Sequence, residues 1–392
     1  MTTFTGTTND DNFIFPPEGE DGMLIELLSG NDSVSVTGFN DVSIDGGSGD
    51  ETFTLISTND THIITGSGRN DYTLDSINGL TIEGNGTSSS NVNSLFLDGN
   101  TNDVFLDESW KLEIISENNS ILSNSELNSG DGGALLSGVV INDSLINIGA
   151  GNTVFSDITL NNSSLLVAGS ASSVSQSSGV TLNNSLFDAE TGDANISFDA
   201  INSTIYGGEG EAFFTSFISG IESSVVYGEG GDDVLSFVAK NSTLDGGDGA
   251  DVIKIYGGEN DSVVKGGNGD DYILGSKASS GNSSQEILIG GAGSDVINGQ
   301  AGNDRLYGQA DNDTLDGGDG VDFINGGTGN DSIDGGQGND KLIGGADNDT
   351  LNGGTGNDRL YGNDGDDTLI TSSGNDRMIG GSGEDVFTFE DV

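Results

Sequence analysis

The chain has 392 residues, of which 64 are acidic and 10 are basic, so its formal net charge at pH 7 is −54. A surface of one sign repels phosphate and anionic lipid, which argues against binding to nucleic acid or to a membrane surface. With no Cys and one His, disulfide scaffolds, thiolate chemistry and His-rich metal sites are excluded. Unscreened, this charge opposes compaction, so the chain is expected either to be disordered or to fold around bound cations.

The N-terminal residues carry no export signal of the usual kind. Residues 1–6 form neither the basic region nor the apolar stretch of a cleaved signal peptide. No run of about 18 apolar residues occurs in the chain, so no transmembrane segment is predicted. We therefore expect a soluble protein that does not use the ordinary N-terminal export route.

The region before residue 246 repeats a loose phrase of an aliphatic residue, any residue and a glycine, mostly at intervals of about 15–21 residues. Between these copies an Asn-Ser-x-aliphatic phrase recurs, as at 162–165 and 241–244. The glycine phrases end at Gly30, Gly46, Gly66, Gly84, Gly99, Gly207, Gly228 and Gly246. We predict degenerate solenoid coils over 1–100 and β-helix coils of about 18–21 residues over 101–245.

A stricter repeat occupies residues 246–392, apart from a predicted insertion at 275–289. Between 290 and 388 the sequence divides without gaps into eleven nine-residue units, such as 326–334 and 335–343. The sixth position is Asp and the eighth is apolar in all eleven units, and a flexible linker would not keep an apolar position. The sixth-position residues are Asp295, Asp304, Asp313, Asp322, Asp331, Asp340, Asp349, Asp358, Asp367, Asp376 and Asp385.

These periods predict a β-solenoid. Each nonapeptide supplies a six-residue turn and a three-residue strand whose middle side chain points inward, because strand side chains alternate. Glycine provides the positive φ that tight turns require, and the scarcity of Pro suits strands that all donate hydrogen bonds. No amphipathic helical period stands out. The predicted fold class is all-β, a parallel β-solenoid with two nonapeptides in each coil.

The tract at 290–388 resembles the RTX (repeats-in-toxin) family, whose nonapeptide reads Gly-Gly-x-Gly-x-Asp-x-apolar-x. The likeness is looser over 246–274 and loosest upstream, where 1–100 is interpreted as degenerate RTX-like coils. The resemblance implies a right-handed parallel β-solenoid in which a β-helix continues into a C-terminal RTX β-roll. It also implies calcium ions in rows between turns stacked one coil apart.

The residues of each turn suit calcium chemically. Calcium takes six to eight hard oxygen ligands, and a Gly-rich turn offers backbone carbonyls while its Asp offers a carboxylate. If turns i and i+2 share an ion, eleven repeats hold about nine ions. The predicted metal ligands are Asp233, Asp251, Asp271 and the eleven sixth-position residues from Asp295 to Asp385. Turns with Asp in place of Gly, at Asp311 and Asp347, and the unit at 371–379 are expected to bind less well or to be distorted.

Alternate nonapeptides place their outward residues on opposite faces of the predicted roll. The four basic residues of the tract all fall on one face, with aromatic residues among them. In an acidic chain, such a face is expected to dock either a second copy of the chain or an acidic polysaccharide. The alternative is that these side chains are solvated and neutralise nearby Asp. The basic residues are Arg305, Lys341, Arg359 and Arg377, and the aromatic residues are Tyr307, Phe323 and Tyr361.

A catalytic role is weighed and set aside. A parallel β-helix followed by RTX repeats also resembles alginate epimerases and some polysaccharide lyases. The Tyr-Gly-Phe-Asp-Pro-His motif of the epimerases is absent, since the only prolines are Pro16 and Pro17, and the basic residues before 290 are scattered. His62 is interpreted as an exposed turn or strand residue. We therefore expect no enzyme, with a polysaccharide lyase or epimerase as the alternative.

The sequence predicts an extracellular calcium-binding protein with a structural or adhesive role at a bacterial surface or in its matrix, as in a surface layer or biofilm. We expect the chain to stay extended in low cytosolic calcium and to fold outside the cell. The resemblance implies type I secretion, which reads a C-terminal signal, and the few residues after the last unit leave little room for one. A secretion and folding module of a larger RTX protein is a further alternative.

Overall fold

A computed structural model describes residues 2–15, 22–64, 70–75, 77–83, 92–97, 101–107, 111–128, 134–149, 152–167, 173–190, 193–215, 220–256, 261–277 and 285–390. Over these ranges the chain contains strands and turns but no helix, and hence no helix that is long and apolar enough to cross a membrane. The chain falls into two compact units, unit 1 at 1–198 and unit 2 at 199–392.

Unit 1 is a stack of parallel coils. Within it, each strand pairs in parallel with a strand about one coil further along the chain. Its strands are β1 (Thr2–Thr5), β2 (Asn12–Phe15), β3 (Met23–Glu26), β4 (Ser33–Thr37), β5 (Asn40–Asp45), β6 (Thr52–Ile56), β7 (Asn59–Ile64), β8 (Asp71–Asp75), β9 (Asn78–Glu83), β10 (Val92–Leu97), β11 (Thr101–Asp107), β12 (Lys111–Ser123), β13 (Glu126–Asn128), β14 (Ala134–Asn142), β15 (Leu145–Ile148), β16 (Asn152–Ser156), β17 (Thr159–Asn161), β18 (Ser164–Val167), β19 (Ser173–Asn183) and β20 (Leu186–Asp188).

The register of strand pairing in unit 1 places similar side chains above one another in successive coils. Ile25 pairs with Ile44, Ile44 with Ile63 and Ile63 with Ile82, each one coil further along the chain, and none of the four is exposed to solvent. Alternate residues of each strand point inward, because successive side chains of a strand lie on opposite faces. The core of unit 1 is therefore built of columns of aliphatic residues that run along the stack.

The Asn-Ser-x-aliphatic phrase of unit 1 forms a corner between strands. Asn124, Asp143, Asn162 and Asn184 have φ between 46° and 50°, a conformation that Asn and Asp tolerate better than other side chains. The residue after each of them is a buried serine, and the backbone N–H of each of the first three serines donates to Oγ of the serine one coil later, at 3.0–3.2 Å. These serines, which we call the serine corners of unit 1, are Ser125, Ser144, Ser163 and Ser185.

Unit 2 has the same architecture with shorter coils. Strand β21 (Asp193–Ile201) contains the boundary between the units. The strands that follow are β22 (Thr204–Tyr206), β23 (Ala212–Thr215), β24 (Ile221–Glu222), β25 (Val225–Gly230), β26 (Val234–Phe237), β27 (Ala239–Lys240), β28 (Thr243–Asp248), β29 (Val252–Ile255), β30 (Val263–Asn268), β31 (Tyr272–Leu274), β32 (Ile287–Ala292), β33 (Val296–Asn298), β34 (Ala301–Gly302), β35 (Arg305–Ala310), β36 (Thr314–Asp316), β37 (Asp319–Gly320), β38 (Phe323–Thr328), β39 (Ser332–Asp334), β40 (Lys341–Ala346), β41 (Thr350–Asn352), β42 (Arg359–Asp364), β43 (Thr368–Thr371), β44 (Arg377–Ser382) and β45 (Val386–Phe389).

Parallel pairing in the repeat tract joins every second nonapeptide. Leu306 pairs with Ile324, and Ile324 with Leu342, while the alternate units form a second series in which Leu315 pairs with Ile333. The prediction of two nonapeptides in each coil is thus confirmed. The all-β, parallel solenoid is confirmed with it, whereas the division by repeat type into 1–100, 101–245 and 246–392 stays a prediction.

The apolar eighth position forms the core of the repeat tract. From Ile297 to Leu369 every eighth-position side chain is at most 2% exposed. Met378 is half-buried and Phe387 is 45% exposed. The inward position is therefore confirmed for nine units and wrong for Phe387, which lies on β45 and pairs with Leu369 of β43.

We expect Leu342→Ala to destabilise the folded repeat tract by about 2–5 kcal/mol, because it removes a fully buried side chain and leaves a cavity. Its matched control is Ile343→Ala, which truncates the next residue of the same strand, whose side chain is half-buried on the outer face. Urea unfolding of both variants in the presence of calcium measures the difference. Equal losses for the two variants would show that position eight does not form the core.

Candidate metal-binding turns

The turns of the repeat tract stack closely, and most units carry glycine at the two positions where one turn lies against the next. In the unit at 353–361, Gly354 has a φ of 77° and Gly356 a φ of 139°. A Cβ on Gly356 would overlap the carbonyl oxygen of Gly338, which lies one coil earlier, and a Cβ on Gly354 would overlap that of Gly336. The turn carbonyls at positions two and four therefore lie directly against the next turn of the stack.

The first glycine of each unit makes room for the carboxylate of the same unit. A Cβ on Gly344 would overlap Oδ2 of Asp349, and a Cβ on Gly362 would overlap Oδ2 of Asp367. The Asp side chain thus folds back across its own turn. This contact favours glycine at position one, whereas the φ of that glycine is not in the left-handed region.

The sixth-position Asp residues form two columns, one for each series of alternate units. In both columns the backbone N–H of one Asp donates to Oδ1 of the Asp one coil later, as from Asp340 to Asp358 at 2.9 Å. The structure brings all fourteen predicted ligands into these columns. The first column contains Asp233, Asp251, Asp271, Asp295, Asp313, Asp331, Asp349, Asp367 and Asp385, and the second contains Asp304, Asp322, Asp340, Asp358 and Asp376.

The other carboxylate oxygen of most of these residues is buried without a hydrogen-bond partner. Asp376 and Asp385 are exceptions, because their side chains are only half-buried. A buried oxygen with negative charge and no partner is costly, which makes it a candidate ligand for a cation. Among the described residues, the buried Oδ2 atoms without a partner in these columns belong to Asp233, Asp251, Asp271, Asp295, Asp304, Asp313, Asp322, Asp331, Asp340, Asp349, Asp358 and Asp367.

Burial also changes the acidity of these carboxyls. Loss of hydration raises the pKa of Asp340 to about 7 and that of Asp233 to about 8. Neighbouring carboxylates raise the pKa further, whereas the N–H that donates to Oδ1 lowers it. In Asp304 burial is again the largest cause, with the Glu286 carboxylate next, and its pKa rises to about 8. Without a cation, folding therefore favours the protonated form of these groups.

The donor set fits calcium better than a transition metal. Over the described ranges, three or more His, Asp or Glu side chains do not converge on one point. What the turns offer instead is a carboxylate from position six and backbone carbonyls from stacked turns, all of them hard oxygen atoms. Calcium accepts six to eight such ligands, while zinc and copper prefer His and Cys.

Position five forms a second hydrogen-bond ladder that sequence reasoning missed. Its backbone N–H donates to Oδ1 of the residue one coil earlier, as from Asn330 to Asn312 at 2.6 Å and from Asn357 to Asn339 at 2.8 Å. The sixth-position ladder runs in the opposite sense, so each turn is tied to both of its neighbours. The frequent Asn at position five is the sequence feature from which this ladder could have been predicted.

Glu286 is a further residue that the sequence did not single out. It lies within the predicted insertion 275–289, of which 278–284 fall outside the described residues. Its N–H donates to Oδ1 of Asp304 at 2.9 Å, and its Oε1 accepts the Ser276 hydroxyl at 2.6 Å. Since β32 follows directly and pairs with Arg305–Ala310, Glu286 occupies the sixth position of the second column.

Two of the atypical turns differ from the others in backbone conformation. Asp311 and Asp347 adopt φ of 74° and 76°, whereas Gly329 and Gly365, at the same position of neighbouring turns, have φ of 116° and 142°. In the unit at 371–379, Gly374 still lies against the Gly356 carbonyl oxygen, so the close stacking is kept there. Weaker binding at these turns stays a prediction.

Outward basic residues align on one series of strands. Arg305, Phe323, Lys341, Arg359 and Arg377 pair in register from β35 to β44, and we call them the basic stripe. The Lys341 ammonium lies 5.0 Å from the centre of the Phe323 ring. Among the described residues, none of the four cations of the stripe lies within 4.0 Å of a carboxylate oxygen. Within the described residues, no ion pair therefore supports the alternative that these cations neutralise nearby Asp.

His62 lies on β7 in unit 1, with a half-buried side chain. The expectation of an exposed residue is therefore corrected to a half-buried one, because His62 lies on the outer face of β7 between Ser43 and Thr81 of the adjacent coils. The basic stripe lies in unit 2. The structure thus does not assemble His62 and the stripe cations within one unit.

We expect the calcium-free repeat tract to gain structure as the pH is lowered. A carboxyl whose pKa is raised by folding stabilises the folded state while protonated, and this contribution is lost as the pH rises through about 6 to 8. In chelator, the β signal in circular dichroism should therefore be larger at pH 5 than at pH 8. Calcium at pH 8 should restore the signal, because it replaces the proton. An equal signal at both pH values in chelator would contradict the assignment.

Comparison with known proteins matches the C-terminal part of the chain. A model of the RTX calcium-binding nonapeptide repeat matches residues 239–254, 254–277, 280–315, 316–351 and 352–387. No curated protein matches the chain. The matched segments contain both Asp columns from Asp251 onward. Residues 239–387 of this chain are therefore a run of RTX calcium-binding repeats, and the chain carries an RTX β-roll.

Proposed function

We propose that this protein is an extracellular, calcium-dependent structural or adhesive component of a bacterial surface or matrix, such as a surface layer or biofilm, exported by type I secretion. The observation that carries the proposal is the pair of columns of buried carboxylate oxygens without partners in unit 2. A catalytic centre would need an acid, a base and a cleft, and the repeat tract offers uniform turns instead. Polysaccharide lyase or epimerase activity remains an outcome of the experiments below.

The ligands proposed are the fourteen Asp residues of the two columns, with backbone carbonyls at positions two and four of the stacked turns. Calcium supplies positive charge between carboxylates that would otherwise repel one another. The chain itself holds each carboxylate in place through the N–H that donates to Oδ1, and it shields Oδ2 from water. The stacked turns are brought together by parallel pairing on either side.

Folding should be coupled to binding for an electrostatic reason. Neighbouring carboxylates in a column are separated by one strand spacing, about 4.8 Å. Two unit charges at that distance repel by about 3 kcal/mol at an effective dielectric constant of about 20. That repulsion is as large as the gain from burying one Leu side chain, about 1.5–3 kcal/mol. In low calcium the core therefore does not hold the coils together, and export in the unfolded state follows.

We expect Asp340→Asn to raise the calcium concentration at half-maximal folding of coils 332–361 by about tenfold, because it removes one charged ligand from the shared shell. The matched control is Asp334→Asn, an exposed Asp of the same coil. A calcium titration followed by circular dichroism and by hydrogen exchange of these coils measures both. If the two variants titrate alike, the column does not bind the ion.

The basic stripe supports the adhesive part of the proposal. Like charges in register on neighbouring strands destabilise a sheet, so their retention without acidic partners favours an external anion. A shallow groove lined by Lys341, Ile343, Tyr361 and Asn363 lies along the stripe. An acidic polysaccharide or the acidic surface of a second copy would suit it.

We expect the triple variant Arg305→Glu, Arg359→Glu and Arg377→Glu to lose binding to polyuronate and to lose calcium-dependent self-assembly. The control variant carries Thr314→Glu, Thr350→Glu and Thr368→Glu, which add negative charge at position seven of the opposite series. Co-sedimentation with alginate and light scattering are the measurements. Unchanged binding and assembly would refute a role for the stripe, and turnover of alginate or pectate would favour the enzyme.

A further inference from the structure

A stack of turns in unit 1, outside the matched repeats, reproduces features of the calcium-binding turns. Asp11, Asp32, Glu51 and Asn70 each precede a strand, and those strands, β2, β4, β6 and β8, pair in register from one coil to the next. The four residues therefore lie one above another. We call them the unit 1 stack. None of them lies in a segment that the repeat model matches.

Two carboxylates of the unit 1 stack are buried and lack partners. Asp32 and Glu51 are each 1% exposed. Oδ1 of Asp32 accepts the backbone N–H of Asp11 at 2.7 Å, in the same sense as in unit 2, but its Oδ2 has no hydrogen-bond partner. Neither carboxylate oxygen of Glu51 has one. Three carboxylate oxygens on two adjacent turns are thus withdrawn from water without compensation.

Backbone carbonyls lie close together in the turns that hold these carboxylates. Gly30 and Gly49 have φ of 136° and 137°, and a Cβ on Gly49 would overlap the Gly30 carbonyl oxygen. A Cβ on Gly47 would overlap the carbonyl oxygen of Leu27 and lie 2.8 Å from that of Leu28. A Cβ on Gly49 would also lie 3.2 Å from Oε1 of Glu51, so this carboxylate reaches back into its own turn. The same close stacking occurs at Gly356 in unit 2.

We propose that Asp32 and Glu51 bind a divalent cation, calcium, between adjacent turns of unit 1, at a site independent of the repeats at 239–387. The donors are hard oxygens from two carboxylates and from carbonyls of the turns at 27–32 and 46–51. Asp10, Asp11 and Asp50 add negative charge around the site. Glu51 stands where the repeats have Asp, so its carboxylate lies one methylene further from the backbone. Asn70, the last residue of the unit 1 stack, is uncharged.

The alternative is that both carboxyls are merely protonated in the folded chain. The two possibilities differ in what removal of the charge does. If a cation binds, Glu51→Gln stabilises unit 1 in chelator, because it removes a buried unpaired charge, and it weakens the binding of calcium. If the carboxyls are protonated, calcium has no effect on unit 1 in either protein.

Hydrogen exchange of the full chain, with and without calcium, tests the proposal. We expect calcium to slow exchange in peptides from 22–64 of the wild-type protein. In Glu51→Gln and in Asp32→Asn, the calcium concentration for half-maximal protection of these peptides should rise by about tenfold or more, because ligand charge sets affinity. Asp41→Asn is the control, since Asp41 is an exposed acid of the same unit outside the stack.

The wild-type measurement requires no variant to fold, and it separates this proposal from the proposed function. Protection of 285–390 without protection of 22–64 overturns the unit 1 site and leaves the proposed function intact. Protection of 22–64 alone supports the site and contradicts the function proposed for the repeats. If Asp41→Asn loses as much calcium protection as Glu51→Gln, the effect is one of net charge and the site is refuted.

Discussion

The close stacking of turns at one coil spacing is the constraint on which the repeat tract depends. Glycine is required where the carbonyl of one turn lies against the next, as at Gly356 over Gly338. Because no side chain separates the turns, their polar groups must satisfy one another. Backbone N–H groups do so by donating to Oδ1 of Asp one coil away, and Oδ2 is left over. The demand for a cation is thus a consequence of backbone packing.

Two opposing terms meet in every coil of this tract. The aliphatic column at position eight favours stacking, as Leu342 and Leu360 show by their complete burial. The carboxylate column opposes it, since each new coil adds a charge next to the last one. The two terms are of similar size, so under the proposed function neutralisation of the column decides whether the coils close. A chain with a net charge of −54 can in this way be extended while its ligands are empty and compact once they are filled.

Much of the fold was predictable from the sequence, because strict periods specify register. The invariant Asp and apolar positions predicted the coil of two nonapeptides, the inward residue and the alternation of faces. The exposed Phe387 was not predictable, since a repeat pattern treats every unit alike. Glu286 and Glu51 were not predicted, because the repeat pattern has Asp at position six. The positions of Glu286 and Glu51 in the stacks are seen only from the pairing of the strands that follow them, because the coils there differ in length.

Along one edge of unit 2, the residue at the corner of each coil changes from serine to a carboxylate. Ser203, Ser224, Ser242 and Ser262 form serine corners like those of unit 1, joined by hydrogen bonds of 3.1–3.3 Å. The pairing of Val263 with Ile287 then places Glu286 in the same register, and Asp304 follows. A serine corner needs no ion, whereas a carboxylate turn does. In a solenoid each coil is stabilised by its neighbours. The serine-cornered coils of unit 2 have a carboxylate turn on one edge only, at Asp233, Asp251 and Asp271. They therefore accumulate less negative charge per coil and offer a template on which the coils with two carboxylate turns can add one by one.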